Sequence, residues 1–128
     1  MHMKDTCVFC GISSGVIPAK VLWKSKTYTA FLDIHPSAPG HTLLIPNAHY
    51  ESMMDTPSEV VGSLFVAAQM LMQVYQTVFN VERVKLSVVG VDVDHFHIHI
   101  IPIYTKAPQM ELDVVEQMIR EKLEPALK

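Results

Sequence analysis

Apolar residues recur along the chain with two spacings, and the change from one to the other marks out strands and helices. Val21–Trp23 and Tyr28–Leu32 are short runs on either side of the polar turn Lys24-Ser25-Lys26, the pattern of a hairpin. Pro36, Pro39 and Gly40 then mark a loop, and Thr42–Ile45 is an apolar run of strand length stopped by Pro46. From residue 56 the period changes. Val61, Leu64, Phe65, Ala68, Leu71, Met72, Tyr75 and Phe79 fall on one helical face, with Asn80 as its stop. Thr56 stands as N-cap, Pro57 as first helical residue and Glu59 as the partner that closes a capping box. Residues 84–91 and 96–103 return to strand character, while 7–14 fit one or two helical turns closed by Gly15. Beyond Pro108, Leu112, Val115, Ile119 and Leu123 form the stripe of an amphipathic helix ended by Pro125. This order predicts an α+β fold: an antiparallel sheet of about five strands, with one long central helix and a C-terminal helix on one face.

Composition narrows what such a fold can do. The 128 residues, 49% hydrophobic and 18% charged, suffice for one core, and no linker or repeat divides them, so residues 1–128 are expected to form a single domain. A net charge of −3 provides no basic surface for polymeric nucleic acid, which leaves small nucleotides as candidate ligands. No apolar stretch reaches the roughly 18 residues of a membrane span, and Met1-His2-Met3-Lys4-Asp5 lacks a signal-peptide apolar region. A cytoplasmic protein without a membrane partner is expected. Its two cysteines, Cys7 and Cys10, then point to metal or redox chemistry over a structural disulfide. The methionines of the central helix read as gap-fillers in the core.

The run His95-Phe96-His97-Ile98-His99 carries the strongest chemical signal. On a strand, His95, His97 and His99 share one face, while Phe96, Ile98 and Ile100 share the other and pack beneath the central helix. The histidines would then face a cleft on the opposite side. Surface histidines or a chance metal-binding run are the bland alternative, but strict alternation with large apolar side chains favours a site. One zinc cannot collect all three: at about 3.3 Å per residue, His95 and His99 stand roughly 13 Å apart, whereas zinc ligands converge within about 2.1 Å. The three must divide their work.

Residues His95 to Ile101 match His-x-His-x-His-x-x with apolar x at every position, and in this the chain resembles the histidine-triad (HIT) family. The resemblance extends to Phe31-Leu32-Asp33-Ile34, to Pro39-Gly40-His41-Thr42-Leu43-Leu44-Ile45-Pro46 and to His49. Cys7-Val8-Phe9-Cys10 followed by Ile17-Pro18-Ala19 is similar to the N-terminus of bacterial members. Together these landmarks span residues 5–103 and leave 104–128 as a C-terminal helical segment.

The resemblance implies a HIT-like fold and a nucleotide-binding hydrolase or transferase. Such an enzyme would cleave the α-phosphate linkage of a purine nucleoside phosphoramidate or dinucleoside polyphosphate through a nucleotidyl-histidine intermediate. His97 would be the nucleophile, which an imidazole of pKa about 6.5 can be near neutral pH, with its other ring nitrogen donating to a carbonyl. His99 would donate a hydrogen bond or proton near the phosphate and leaving group. Asp33 would hold the ribose hydroxyls, although a turn role is its alternative. Phe9, Ile12, Phe31 and Ile34 would surround the base, and for these four ordinary core packing is an equal reading. The resemblance also implies a structural Zn2+ on Cys7, Cys10, His49 and His95, and a homodimer. A redox Cys-x-x-Cys pair would need a preceding βαβ unit, which is lacking.

His35 and His41 match no catalytic role and are expected to be structural or solvent-exposed. Where many members carry Asn-x-Gly and then Gly-Gln before the triad, this chain has Val88-Val89-Gly90-Val91-Asp92-Val93-Asp94, so neither Gly90 nor Asp92 receives a phosphate role. A nucleotide-binding scaffold dimer with little catalysis, and a metal-binding protein whose triad serves only zinc, are the competing readings.

Overall fold

Strand alternation sorts the apolar side chains into two layers, one on each face of a sheet. The computed structural model describes residues 7–88 and 93–127. Its elements are α1 (Val8–Ser14), β1 (Val21–Lys24), β2 (Tyr28–Leu32), β3 (Thr42–Pro46), α2 (Ser58–Val78), β4 (Arg83–Ser87), β5 (Ile98–Ile103) and α3 (Leu112–Ala126). A short 3-10 turn at Met53–Asp55 leads into α2. The five strands form one antiparallel sheet in the order β1-β2-β3-β5-β4, which is the α+β architecture the sequence predicts.

Register decides which residues share a face. Leu44 lies opposite Ala30 on one side and Ile98 on the other, and this row belongs to the main core under α2 and α3. Leu64, Ala68, Leu71 and Tyr75 of α2, with Val115, Ile119 and Leu123 of α3, close that core. Each fully buried aliphatic or aromatic side chain of this kind contributes about 1.5–3 kcal/mol relative to exposure. One residue along β3, Leu43 lies between Phe31 and His99, and this row points the other way. Phe9 and Ile12 of α1 pack there with Phe31, Leu43 and Ile45. The helices therefore do not all share one face. The i, i+3 pair on a helix of seven residues is stripe enough to cover the far side.

Several boundaries depart from the sequence pattern. Thr56 does not cap α2: its hydroxyl donates to the carbonyl of Ser52 at 2.8 Å, and Pro57 takes the cap position without a side-chain bond. The capping box does not form, because the 3-10 turn offers Thr56 a nearer acceptor. Pro125 sits inside the last turn of α3 instead of ending it, and the Leu127 N–H still reaches the Leu123 carbonyl at 3.1 Å. Asn80 ends the α2 segment in the left-handed region, with φ 52°. β4 stops at Ser87, and residues 89–92, with Gly90 and Asp92 among them, lie outside the described residues, as do Met1–Thr6 and Lys128.

β5 begins at Ile98, so His95 and His97 precede the strand on which the sequence pattern placed them. The reason is a change of partner: the Phe96 N–H donates to the Tyr50 carbonyl at 2.6 Å, away from β3. Alternation nevertheless continues, with Phe96 in the main core and the histidine rings on the α1 side. Among the described residues no helix is long and apolar enough to cross a membrane.

Candidate functional site

Cys7 is the N-cap of α1, and its sulfur accepts the Cys10 N–H at 3.4 Å. One helical turn brings the Cys10 sulfur to the same side, where His49, just beyond β3, and His95 meet the pair. The distances are 3.4 Å from Cys7 Sγ to His95 Nδ1, 3.6 Å from Cys10 Sγ to His95 Nδ1, and 3.2 Å from Cys10 Sγ to His49 Nδ1. Zinc bonded to sulfur at about 2.3 Å and to nitrogen at about 2.05 Å would set tetrahedral S···N edges of about 3.6 Å. The three S···N distances come close to that figure, and the four ligand atoms all lie within 4.8 Å of one another.

Hydrogen bonding sets the His95 tautomer. Its Nε2–H donates to the Pro46 carbonyl at 2.9 Å, which turns the Nδ1 lone pair toward the sulfurs, as a metal ligand requires. Burial holds the His95 imidazole far below the ordinary histidine range, at about 4. The Pro46 bond opposes that shift, and the neighbouring His49 and His97 add to it.

His97 is held by its own chain. Its Nδ1–H donates to the His95 carbonyl at 2.7 Å, the carbonyl bond expected from the sequence, and this places the lone pair on Nε2. The Phe9 ring stands edge-on to it, with centroids 5.2 Å apart and planes at 75°. His97 is buried, at 2% exposure, and its ring centroid is 5.0 Å from that of His99.

His41 is the residue the sequence pattern missed. It is buried, at 5% exposure, the structural one of the two alternatives expected, and it contacts His99 of the triad. Gly40 puts it there. With φ 96°, Gly40 packs so tightly that a Cβ would come within 2.7 Å of the Phe79 ring and 2.8 Å of Pro102. His41 Nδ1 accepts the Ser37 N–H at 3.0 Å, so its proton is on Nε2, which donates to His99 Nδ1 at 2.9 Å. His99 in turn carries its proton on Nε2. Burial lowers the His41 pKa, an effect opposed by Asp33 and reinforced by His99 and Lys85. Nothing in the spacing of residues 41 and 99 announces this pair, which follows from the pairing of Thr42 with Ile100.

Asp33 stands at the same place. Its Oδ1 accepts the His35 N–H at 2.8 Å, a local turn, while Oδ2 lies 3.6 Å from His41 Nε2. His35 is exposed, as expected. Asp33, His41 and His99 are close enough to suggest a second metal site. The tautomers argue otherwise: a metal on His41 Nε2 would force a proton onto Nδ1, against the Ser37 N–H. Within the trio His41 donates to His99, and Asp33 lies beside the pair as an acceptor. Of the residues expected around a base, Phe9, Ile12 and Phe31 are buried in the second core layer, whereas Ile34 is 66% exposed beside Asp33.

Residues 14–106 match the HIT domain. The chain belongs to the HIT family. An uncharacterized HIT-like protein of Methanocaldococcus jannaschii is 36% identical over 102 residues, covering 77% of this chain and 79% of that protein. The adenosine 5'-monophosphoramidase HNT1 of Saccharomyces cerevisiae is 36% identical over 97 residues, 75% of this chain and 61% of the yeast protein. Among solved structures, a zinc-bound histidine triad family protein of Mycobacterium smegmatis superposes with a TM-score of 0.87 at 25% identity, covering 94% of this chain and 95% of that one. The HIT signature here thus holds three histidines in three settings: His95 beside two cysteines, His97 on a carbonyl, and His99 on His41.

Proposed function

We propose that this HIT protein hydrolyses or transfers a purine nucleoside phosphate joined through its α-phosphorus, with His97 as nucleophile. The observation that carries this reading is the His97 tautomer, in which Nδ1–H is spent on the His95 carbonyl and Nε2 bears the lone pair. Nε2 forms a bond to the α-phosphorus as the bond to the leaving group breaks, and the electron pair departs with the leaving atom, which takes a proton from solvent. Water then attacks phosphorus and loses its proton, and the P–N bond breaks with its electrons returning to Nε2.

In this reading His99 acts through Nε2–H as a hydrogen-bond donor to the phosphoryl group, with its tautomer held by His41. Asp33 accepts from the ribose hydroxyls through Oδ2, and Ile34 covers the base with the rims of Phe9, Ile12 and Phe31. The yeast phosphoramidase relative supports a nucleoside α-phosphate as substrate.

Cys7, Cys10, His49 and His95 would hold zinc as a structural ion, and the zinc-bound relative supports that choice. The ion would pin α1, and with it Phe9, against the histidine segment. We also assign a homodimer to the free side of β4. Among the described residues that strand is at the sheet edge, and the apolar half of the lining of a groove of about 940 Å³ beside it is Phe65, Val66, Met72, Val84, Leu86 and Ile103. Sedimentation of wild type and Val66→Asp should show a dimer that the substitution weakens.

The deciding experiment treats wild type and His97→Asn with adenosine 5'-phosphoramidate and follows covalent adenylylation by intact-protein mass spectrometry. Wild type should carry AMP transiently and turn the substrate over, and His97→Asn should do neither while still binding AMP. Binding of AMP by wild type without any turnover would instead favour a nucleotide-binding scaffold.

A further inference from the structure

The turn that delivers His41 is held from the main-core face of the sheet. Ala38-Pro39-Gly40-His41 is closed by the His41 N–H on the Ala38 carbonyl at 3.1 Å, with Pro39 and a positive-φ glycine as its central pair, the pattern of a type II turn. The carbonyls of that central pair each end on a hydroxyl. The Tyr104 hydroxyl, just past β5, donates to the Pro39 carbonyl at 2.6 Å. Thr42 Oγ1 donates to the Gly40 carbonyl at 2.9 Å, and with its proton spent there it accepts from the Tyr75 hydroxyl of α2 at 2.6 Å. Thr42 and Tyr75 are fully buried. Phe79, one turn after Tyr75, stands edge-on to both tyrosine rings, with centroids at 5.6 and 6.3 Å, and its rim closes on Gly40.

Aromatic packing accounts for the rings but not for their oxygens. Phenylalanine would fill the same space without bringing into the core a hydroxyl that costs free energy unless it is bonded. What the hydroxyls add is control of a peptide. Type I and type II turns differ by a flip of the peptide joining the two central residues, and Tyr104 holds the carbonyl of that peptide, Pro39–Gly40. The next peptide, Gly40–His41, is held through Thr42, and directly after it the His41 ring reaches His99 Nδ1 at 2.9 Å. Burial pushes both tyrosine hydroxyls up, Tyr104 to about 12, so both remain donors near neutral pH. We propose that Tyr104, with Tyr75 acting through Thr42, is a positioning clamp that aims His41 at His99 and so orients the phosphate donor from across the sheet. This inference rests on the proposed roles of His97 and His99 and adds to them residues that touch no substrate.

The test uses the full chain with adenosine 5'-phosphoramidate. Tyr104→Phe, which keeps the ring and removes one oxygen, should lower kcat by about fivefold to tenfold, the scale of one lost hydrogen bond, with a much smaller change in KM. In a His41→Asn background the same substitution should change kcat by less than about twofold, because there is no longer an imidazole to aim. Tyr75→Phe should lose less, about twofold to fivefold, since Thr42 keeps its own bond to Gly40. Long-range proton–nitrogen NMR should show one His99 tautomer in wild type and a mixture in Tyr104→Phe. Undiminished kcat in either variant, an equal loss with and without His41, or an unchanged His99 tautomer would each overturn the clamp. Were wild type to turn over no phosphoramidate, the His97 reading would fall, and the NMR comparison would still decide the clamp.

Discussion

His41 Nε2 lies 2.9 Å from His99 Nδ1, and because the Ser37 N–H occupies the other His41 nitrogen, the order of protons along the pair is fixed. With Nδ1 accepting from His41, the neutral tautomer of His99 donates through Nε2. Protonating it fully would set two N–H groups against each other at His41, so in the proposed mechanism His99 offers a phosphate a hydrogen bond and not a delivered proton.

Replacing His41 should therefore damage catalysis without emptying the site. His41→Asn is expected to lower kcat by about 100-fold, the scale of losing one oriented donor, with a much smaller change in KM. Long-range proton–nitrogen NMR should show His99 Nδ1 unprotonated in wild type and a tautomer mixture in the variant. A single unchanged tautomer would refute the positioning role.

Burial of His41 also has a sign in acid. Its folded pKa lies below the unfolded value of 6.5, so the unfolded chain takes up a proton first as pH falls. The contribution of this residue to stability is complete above about pH 6.5 and is lost progressively below it, toward the lowered folded pKa. Urea titrations between pH 7.5 and 5 should show a slope that His41→Asn flattens.

Metal content separates the two histidine clusters. Wild type should bind about one zinc per chain, by elemental analysis, as a closed set of four ligands requires. Cys10→Ser and His95→Ala should lose it, and His97→Asn should keep it. Removing the ion with a chelator should lower Tm by roughly 10 °C, corresponding to a loss of a few kcal/mol in a domain of this size. Full occupancy in His95→Ala would refute the ligand set.

Two glycines predict opposite outcomes. Gly40→Ala combines a positive φ with contacts under 3 Å to Phe79 and Pro102, and should cost at least about 2 kcal/mol. Gly62 lies within α2, and a Cβ added there would meet nothing within 4 Å, so Gly62→Ala should gain about 0.5–1 kcal/mol. Denaturant midpoints of the two variants should move in opposite directions.

Local patterning made the sheet, the central helix and the alternation around His97 legible, because each is written in the period of neighbouring residues. The grouping of Cys7, Cys10, His49 and His95 is implied by family resemblance and not by spacing, and the structure brings the four together. What spacing could not reveal depends on contacts distant in sequence. The His41–His99 bond joins residues 58 positions apart, and the placement of α1 on the triad face depends on Phe9 and Ile12 meeting Phe31 and Leu43. Thr56 misled for a local reason: a good N-cap side chain found its acceptor one turn earlier, at Ser52.

His95 is gripped at both ends. Its ring is fixed between Pro46 and the cysteine sulfurs, and its carbonyl holds the ring of His97. Any twist of that one residue is passed to His97, the proposed nucleophile, two positions on. A redesign that plugged the cysteine cluster with well-packed hydrocarbon could preserve the melting temperature and still spoil the aim of Nε2, so for this scaffold thermal robustness is a poor proxy for a working catalyst.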